Sequence, residues 1–74
     1  MLSLDQVKTN ELVFVQDVKN NNKISKRFME MGITKGVKIK VKKFAPLGDP
    51  MEIQFRGYCL SIRKKDAKNI LITY

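Results

Sequence analysis

The sequence has no histidine and a single cysteine, Cys59, and these two absences remove most enzyme chemistry. Histidine is the usual general base and the commonest transition-metal ligand, so catalytic triads, Cys-His pairs and His-based zinc sites are all excluded. One thiol can neither close an internal disulfide nor build a four-thiolate site. No GxxxxGK[ST] or GxGxxG loop is present to cradle phosphates. No apolar run reaches the roughly 18 residues that span a bilayer. The segment Met1 to Gln6 has neither the basic nor the apolar part of a secretory signal, so a cytoplasmic protein is expected. Both prolines fall in one short segment, which leaves the rest of the chain free to form regular structure.

What is present is a folded, strongly basic domain. At 74 residues it is expected to be a single domain spanning 1–74, with 43% hydrophobic and 30% charged residues, ordinary values for a globular fold. Acidic residues are scarce, seven against 15 lysines and arginines. Nine of the bases lie between Lys19 and Lys43, where Glu30 is the sole acid, so this stretch carries the whole net charge of +8. Such asymmetry points to an acidic protein face, a nucleic acid or an anionic membrane surface, or simply to a solvated lysine-rich face.

Residues 11–18 are rich in β-branched and aromatic side chains and precede the turn-forming run Asn20-Asn21-Asn22, which predicts a strand and a loop. Ile24, Phe28 and Met31 share the i, i+4, i+7 spacing of one helix face, and Gly32 follows where a left-handed residue ends a helix. After Gly36, Val37, Ile39 and Val41 alternate with Lys38, Lys40 and Lys42, predicting a strand with one packed face and one lysine ladder. Phe44 continues the ladder's parity and is expected at the surface. Residues 45–50, Ala-Pro-Leu-Gly-Asp-Pro, form a turn. Alternation resumes at Met51, Ile53 and Phe55, and again at Tyr58, Leu60 and Ile62, with Gly57 at a bend and Cys59 outward. Phe55, Tyr58, Met29, Met31 and Met51 are expected in or near the core. A turn at 64–67 leads to a last strand at 69–73. Five short strands and one short helix predict a mostly β fold, a small five-stranded SH3-like barrel, with an OB-like barrel as the alternative.

The candidate binding residues follow from charge and exposure. Arg27 and Arg63 have the geometry to grip a carboxylate or phosphate bidentately. Lys38, Lys40 and Lys42 present a basic row. Leu47, Gly48, Asp49 and Pro50 offer a rigid tip with an apolar side chain at its end.

The segments 26–33 (Lys-Arg-Phe-Met-Glu-Met-Gly-Ile), 36–39 (Gly-Val-Lys-Ile), 45–50 (Ala-Pro-Leu-Gly-Asp-Pro), Gly57-Tyr58 and 60–70 (Leu-Ser-Ile-Arg-Lys-Lys-Asp-Ala-Lys-Asn-Ile), in that order and at that spacing, resemble the FeoA family. The resemblance spans nearly the whole chain, with Phe28 standing where the family pattern has leucine. It implies an SH3-like barrel, not an enzyme, that accompanies the membrane ferrous-iron transporter FeoB by binding its cytosolic part and modulating transport. Arg27, Lys38, Lys40, Lys42 and the Leu47 to Pro50 tip would then be the partner-binding residues. The resemblance also implies weak association with ferrous or other divalent metal. The chain offers for it only carboxylates such as Glu11, Asp17, Asp49 and Glu52, without shared ligand spacing, so no cofactor is expected. Two other readings remain open at this level: a small basic nucleic-acid-binding barrel using the lysines and Phe44, and a GTPase-activating protein with Arg27 or Arg63 as its finger.

Overall fold

The computed structural model describes residues 2–19 and 23–74, the side chains of 23–25 excepted. The turn expected at 20–22 and the side chain of Ile24 lie outside the described residues. The elements in chain order are β1 (Leu2–Ser3), a 3-10 turn (Leu4–Gln6), β2 (Leu12–Val18), α1 (Lys23–Glu30), β3 (Lys38–Phe44), β4 (Met51–Phe55), β5 (Tyr58–Ile62), α2 (Lys64–Ala67) and β6 (Ile70–Thr73). Every strand pair is antiparallel, and the order across the sheet is β1-β6-β2-β3-β4-β5.

The β-rich expectation holds, with six strands in place of five and two helices in place of one among the described residues. β1 is two residues long, too short for any alternation to show; it exists because β6 offers it a pairing partner, Leu2 facing Ile72. α2 was expected as a turn, since four residues with only Ala67 buried carry no helical period.

One apolar cluster is shared by all the longer elements. It joins Val13, Val15 and Val18 of β2, Ile39 and Val41 of β3, Met51, Ile53 and Phe55 of β4, Ile62 of β5 and Ile70 and Ile72 of β6. Leu4, Val7, Phe28, Ile33, Val37 and Ala67 complete it from the turns, connections and helices. A flat sheet would leave such a face open, because the two helices, of eight and four residues, are too small to cover six strands. The sheet therefore curls around its own apolar face, as in small barrels.

Local chemistry sets the connections. α1 ends in a paired-bond motif: Ile33 N donates to Phe28 O at 2.9 Å and Gly32 N donates to Met29 O at 3.1 Å, with Gly32 at φ +104°. Phe28 and Ile33, which this motif brings together, are both buried. The β4–β5 hairpin turns through Arg56 and Gly57, at φ +50° and +81°, between the paired residues Phe55 and Tyr58. Two positive φ values in a two-residue loop match the twist of the strands they join.

A bulge in β3 corrects the parity expected after Val41. Val41 faces Ile53, but Lys43 faces Glu52, so Lys42 is an extra residue. Phe44 is thereby turned toward the core face opposite Met51, half-buried and packed against the cluster. The exposed aromatic platform expected at Phe44 does not exist. The 45–50 turn is a tied loop: Ala45 N donates to Pro50 O at 2.9 Å, Gly48 N to Ala45 O at 2.7 Å, and the Asp49–Pro50 peptide is cis.

The end of β6 is tied back to the start of β2. Tyr74 donates its phenol hydrogen to Glu11 Oε1 at 3.0 Å. That hydrogen bond, with lesser desolvation and repulsion from the same carboxylate, raises the Tyr74 phenol above 10. A group raised on folding stabilises the fold below its unfolded value and loses that contribution as pH climbs through its folded value. Glu11→Gln is therefore expected to lower the Tyr74 ionisation toward 10, read from phenolate absorbance in a Tyr58→Phe background.

Candidate docking surfaces

β5 ends the strand order, so among the described residues no strand covers its outer edge. A groove of about 280 Å³ runs along it, lined by Arg27, Phe28 and Met31 on the α1 side and by Leu60, Ser61, Ile62, Arg63 and Asp66. Three consecutive strand residues line it, although their side chains alternate in direction, so the groove meets the strand at its edge. It continues into a second recess of about 330 Å³ that shares Met31 and Leu60 and adds Phe55, Tyr58 and Cys59. The Tyr58 and Phe55 rings lie 6.5 Å apart at the hairpin end.

Several residues expected in or near the core are exposed instead. Tyr58 is 68% exposed, Met31 41%, and Met29 is also exposed. For Tyr58 the cause is position: its side chain sits at the hairpin end of an edge strand, beyond the sheet that covers Phe55. Met31 follows the last residue of α1, where the helical stripe no longer points at the core. Together with Leu60 they form an apolar floor flanked by the cations Arg27 and Arg63 and the carboxylate Asp66. No three ligand-type side chains are grouped to hold a metal among the described residues.

The expected partner residues fall in three places, not one. Arg27 is in the groove. Leu47 stands at the tip of the 45–50 loop, 97% exposed. Asp49 Oδ1 accepts the Lys64 backbone N–H at 2.9 Å, fastening the loop to the residue after Arg63, at one end of the groove. Lys64 also lies over the Phe44 ring at 5.1 Å, with its Nζ 3.3 Å from where a Cβ on Gly48 would stand. The tip is thus held by Lys64 from two sides. Asp49→Ala removes the acceptor for an opening N–H of α2 and is expected to cost about 1 kcal/mol in urea unfolding. Lys38 and Lys40 face outward on β3 as expected, Lys38 in a separate basic depression, whereas Lys42 occupies the bulge. Arg56, which joins Lys35 and Lys38 there, was missed, because Lys38 and Arg56 lie 18 positions apart in the chain.

The described residues form a small SH3-like domain with an open, largely apolar groove along its last strand edge. The chain belongs to the FeoA family: the FeoA domain model matches residues 2–74. It is 32% identical over 69 residues to the Fe(2+) transport protein A/Fe(2+) transporter FeoB fusion protein of Porphyromonas gingivalis, covering 93% of this chain and 8% of that one. The chain thus spans less than a tenth of that relative. Among solved structures it is similar to a FeoA-like protein from Clostridium acetobutylicum, with 38% identity and TM-score 0.91, covering 97% of this chain and 84% of that one. A zinc-complexed FeoA of Stenotrophomonas maltophilia, described as a prokaryotic SH3 domain protein, shares the fold at TM-score 0.90 and 22% identity, covering 99% of this chain and 91% of that one.

Proposed function

We propose that the domain serves ferrous-iron uptake from the cytoplasm by docking onto the cytosolic region of a FeoB transporter through the groove between α1 and β5, and that docking modulates transport. The observation that carries the reading is the relative in which a FeoA and the transporter share one polypeptide. That arrangement keeps the domain beside the transporter at high effective concentration, and a separate domain must supply the same proximity by affinity. The groove suits this task. An extended segment of FeoB would add to the free edge of β5 by main-chain hydrogen bonds, with its apolar side chains on Met31, Leu60 and Tyr58. Arg27 and Arg63 would meet acidic residues of that segment, and Leu47 would make a peripheral contact from the adjoining loop. No helix among the described residues is long and apolar enough to cross a membrane, so membrane association through this route runs through the partner.

The test is titration of the purified chain with the cytosolic part of FeoB near physiological salt, followed by calorimetry and by amide shifts. Saturable binding that shifts β5 and the end of α1 is expected. No binding, or shifts confined to other faces, overturns the reading.

A further inference from the structure

Arg56, at the β4–β5 turn, folds back over Gly32, where a Cβ would sit 3.4 Å from its Nη1. It lines, with Lys35, Gly36, Val37 and Lys38, an open depression of about 460 Å³. Three cationic side chains border this depression and no carboxylate does. It shares no residue with the groove along β5.

Lys38 lies on the outer face of β3 directly across from Phe14 of β2, and the next pair on that face is Lys40 with Leu12. Phe14 and Leu12 are 42% and 51% exposed, while Val13 between them is fully buried. One face therefore places two large apolar side chains in register with a row of cations. In water the two apolar groups gain nothing; at a lipid interface they enter the acyl boundary while the cations meet phosphates.

We infer that this face is a membrane-contact site, with the phosphate of an anionic phospholipid headgroup held in the Lys35, Lys38 and Arg56 depression. A single-stranded nucleic acid carries the same phosphate chemistry, but such strands are held by successive bases stacking on several aromatic rings. Here the row has one ring, Phe14, and aliphatic Leu12 beside it, which favours lipid. The site is independent of the groove, and its test contains no transporter, so its failure would leave FeoB docking untouched.

Co-sedimentation of the full chain with vesicles of phosphatidylglycerol and phosphatidylcholine, against vesicles of phosphatidylcholine alone, decides it. Binding to the anionic vesicles alone, weakened by salt, is expected. Each cation at an anionic surface contributes about fivefold, so Lys38→Ala with Arg56→Ala should weaken binding about 25-fold. Leu12→Ser with Phe14→Ser, and Leu12→Ser alone at the more exposed position, should weaken it as well, with circular dichroism unchanged. Equal binding to neutral vesicles, no binding to anionic ones, or indifference to both serine variants overturns the proposal. So does release from the vesicles by inorganic phosphate or by a single-stranded oligonucleotide at equal phosphate concentration, the first marking a free-anion site and the second a nucleic-acid site.

Discussion

Replacing Met31 with lysine is expected to weaken capture of the cytosolic part of FeoB by about 30-fold or more while leaving the domain folded. Met31 lines both halves of the groove and follows α1, so it stands at the centre of the apolar floor. Its unbranched thioether adapts to an irregular partner surface. It is substantially exposed, so a lysine there can reach water in the free domain and costs little stability. In the complex the same ammonium would be trapped against apolar side chains and beside the like charges of Arg27 and Arg63. Loss of a central anchor amounts to 2 kcal/mol or more, about 30-fold in affinity. Met31→Leu should bind within a few-fold of the parent, and Lys40→Glu, on the outer face of β3 and outside the groove, should behave as the parent does. Calorimetric titration of the three variants reads the result; a Met31→Lys domain that binds normally would place the docking surface elsewhere.

Ile53→Ala is expected to destabilise the domain by about 2–5 kcal/mol, because it leaves a cavity in a core that cannot collapse around it. Ile53 is fully buried in β4, facing Val41 on one side and Leu60 on the other. A 74-residue domain has a total stability on the order of 4–11 kcal/mol. The substitution thus removes a large part of it, and the thermal midpoint should fall by at least about 8 °C. Leu47→Ala provides the contrast. That side chain is almost wholly in solvent, so its removal should change stability by no more than about 0.5 kcal/mol. A domain in which Leu47→Ala is the more destabilising of the two would contradict the core described above.

The core was legible where alternation was long and unbroken. Val37, Ile39 and Val41 stand inside with Lys38 outside, and the same holds for Met51, Ile53 and Phe55 against Glu52 and Gln54. The end of α1 was legible too, because Gly32 admits the positive φ that closes the helix. Legibility failed where a period was interrupted. Parity counting carried Phe44 to the surface; the extra residue Lys42 turns it back toward the core, and the doubled Lys42-Lys43 before apolar Phe44 is the trace of that insertion in the sequence. Tyr58 obeyed the alternation of its strand and is nevertheless exposed, because burial also requires a neighbour to cover it, and β5 has one on a single side.

Motif order sufficed, from the sequence alone, to mark this as a FeoA-type domain, because the order and spacing of residues are independent of conformation. Local spacing likewise settled the longer strands and α1, since backbone periodicity acts over a few residues. The placement of the surfaces was decided only by tertiary structure. Met31 and Leu60, or Lys38 and Arg56, become neighbours through the curl of the sheet and the β4–β5 turn. The basic stretch from Lys19 to Lys43, continuous in the chain, is correspondingly divided, Arg27 to the groove and Lys38 to a different face. Charge counts register how many cations a segment holds; which of them face one partner together depends on contacts between residues far apart in the chain.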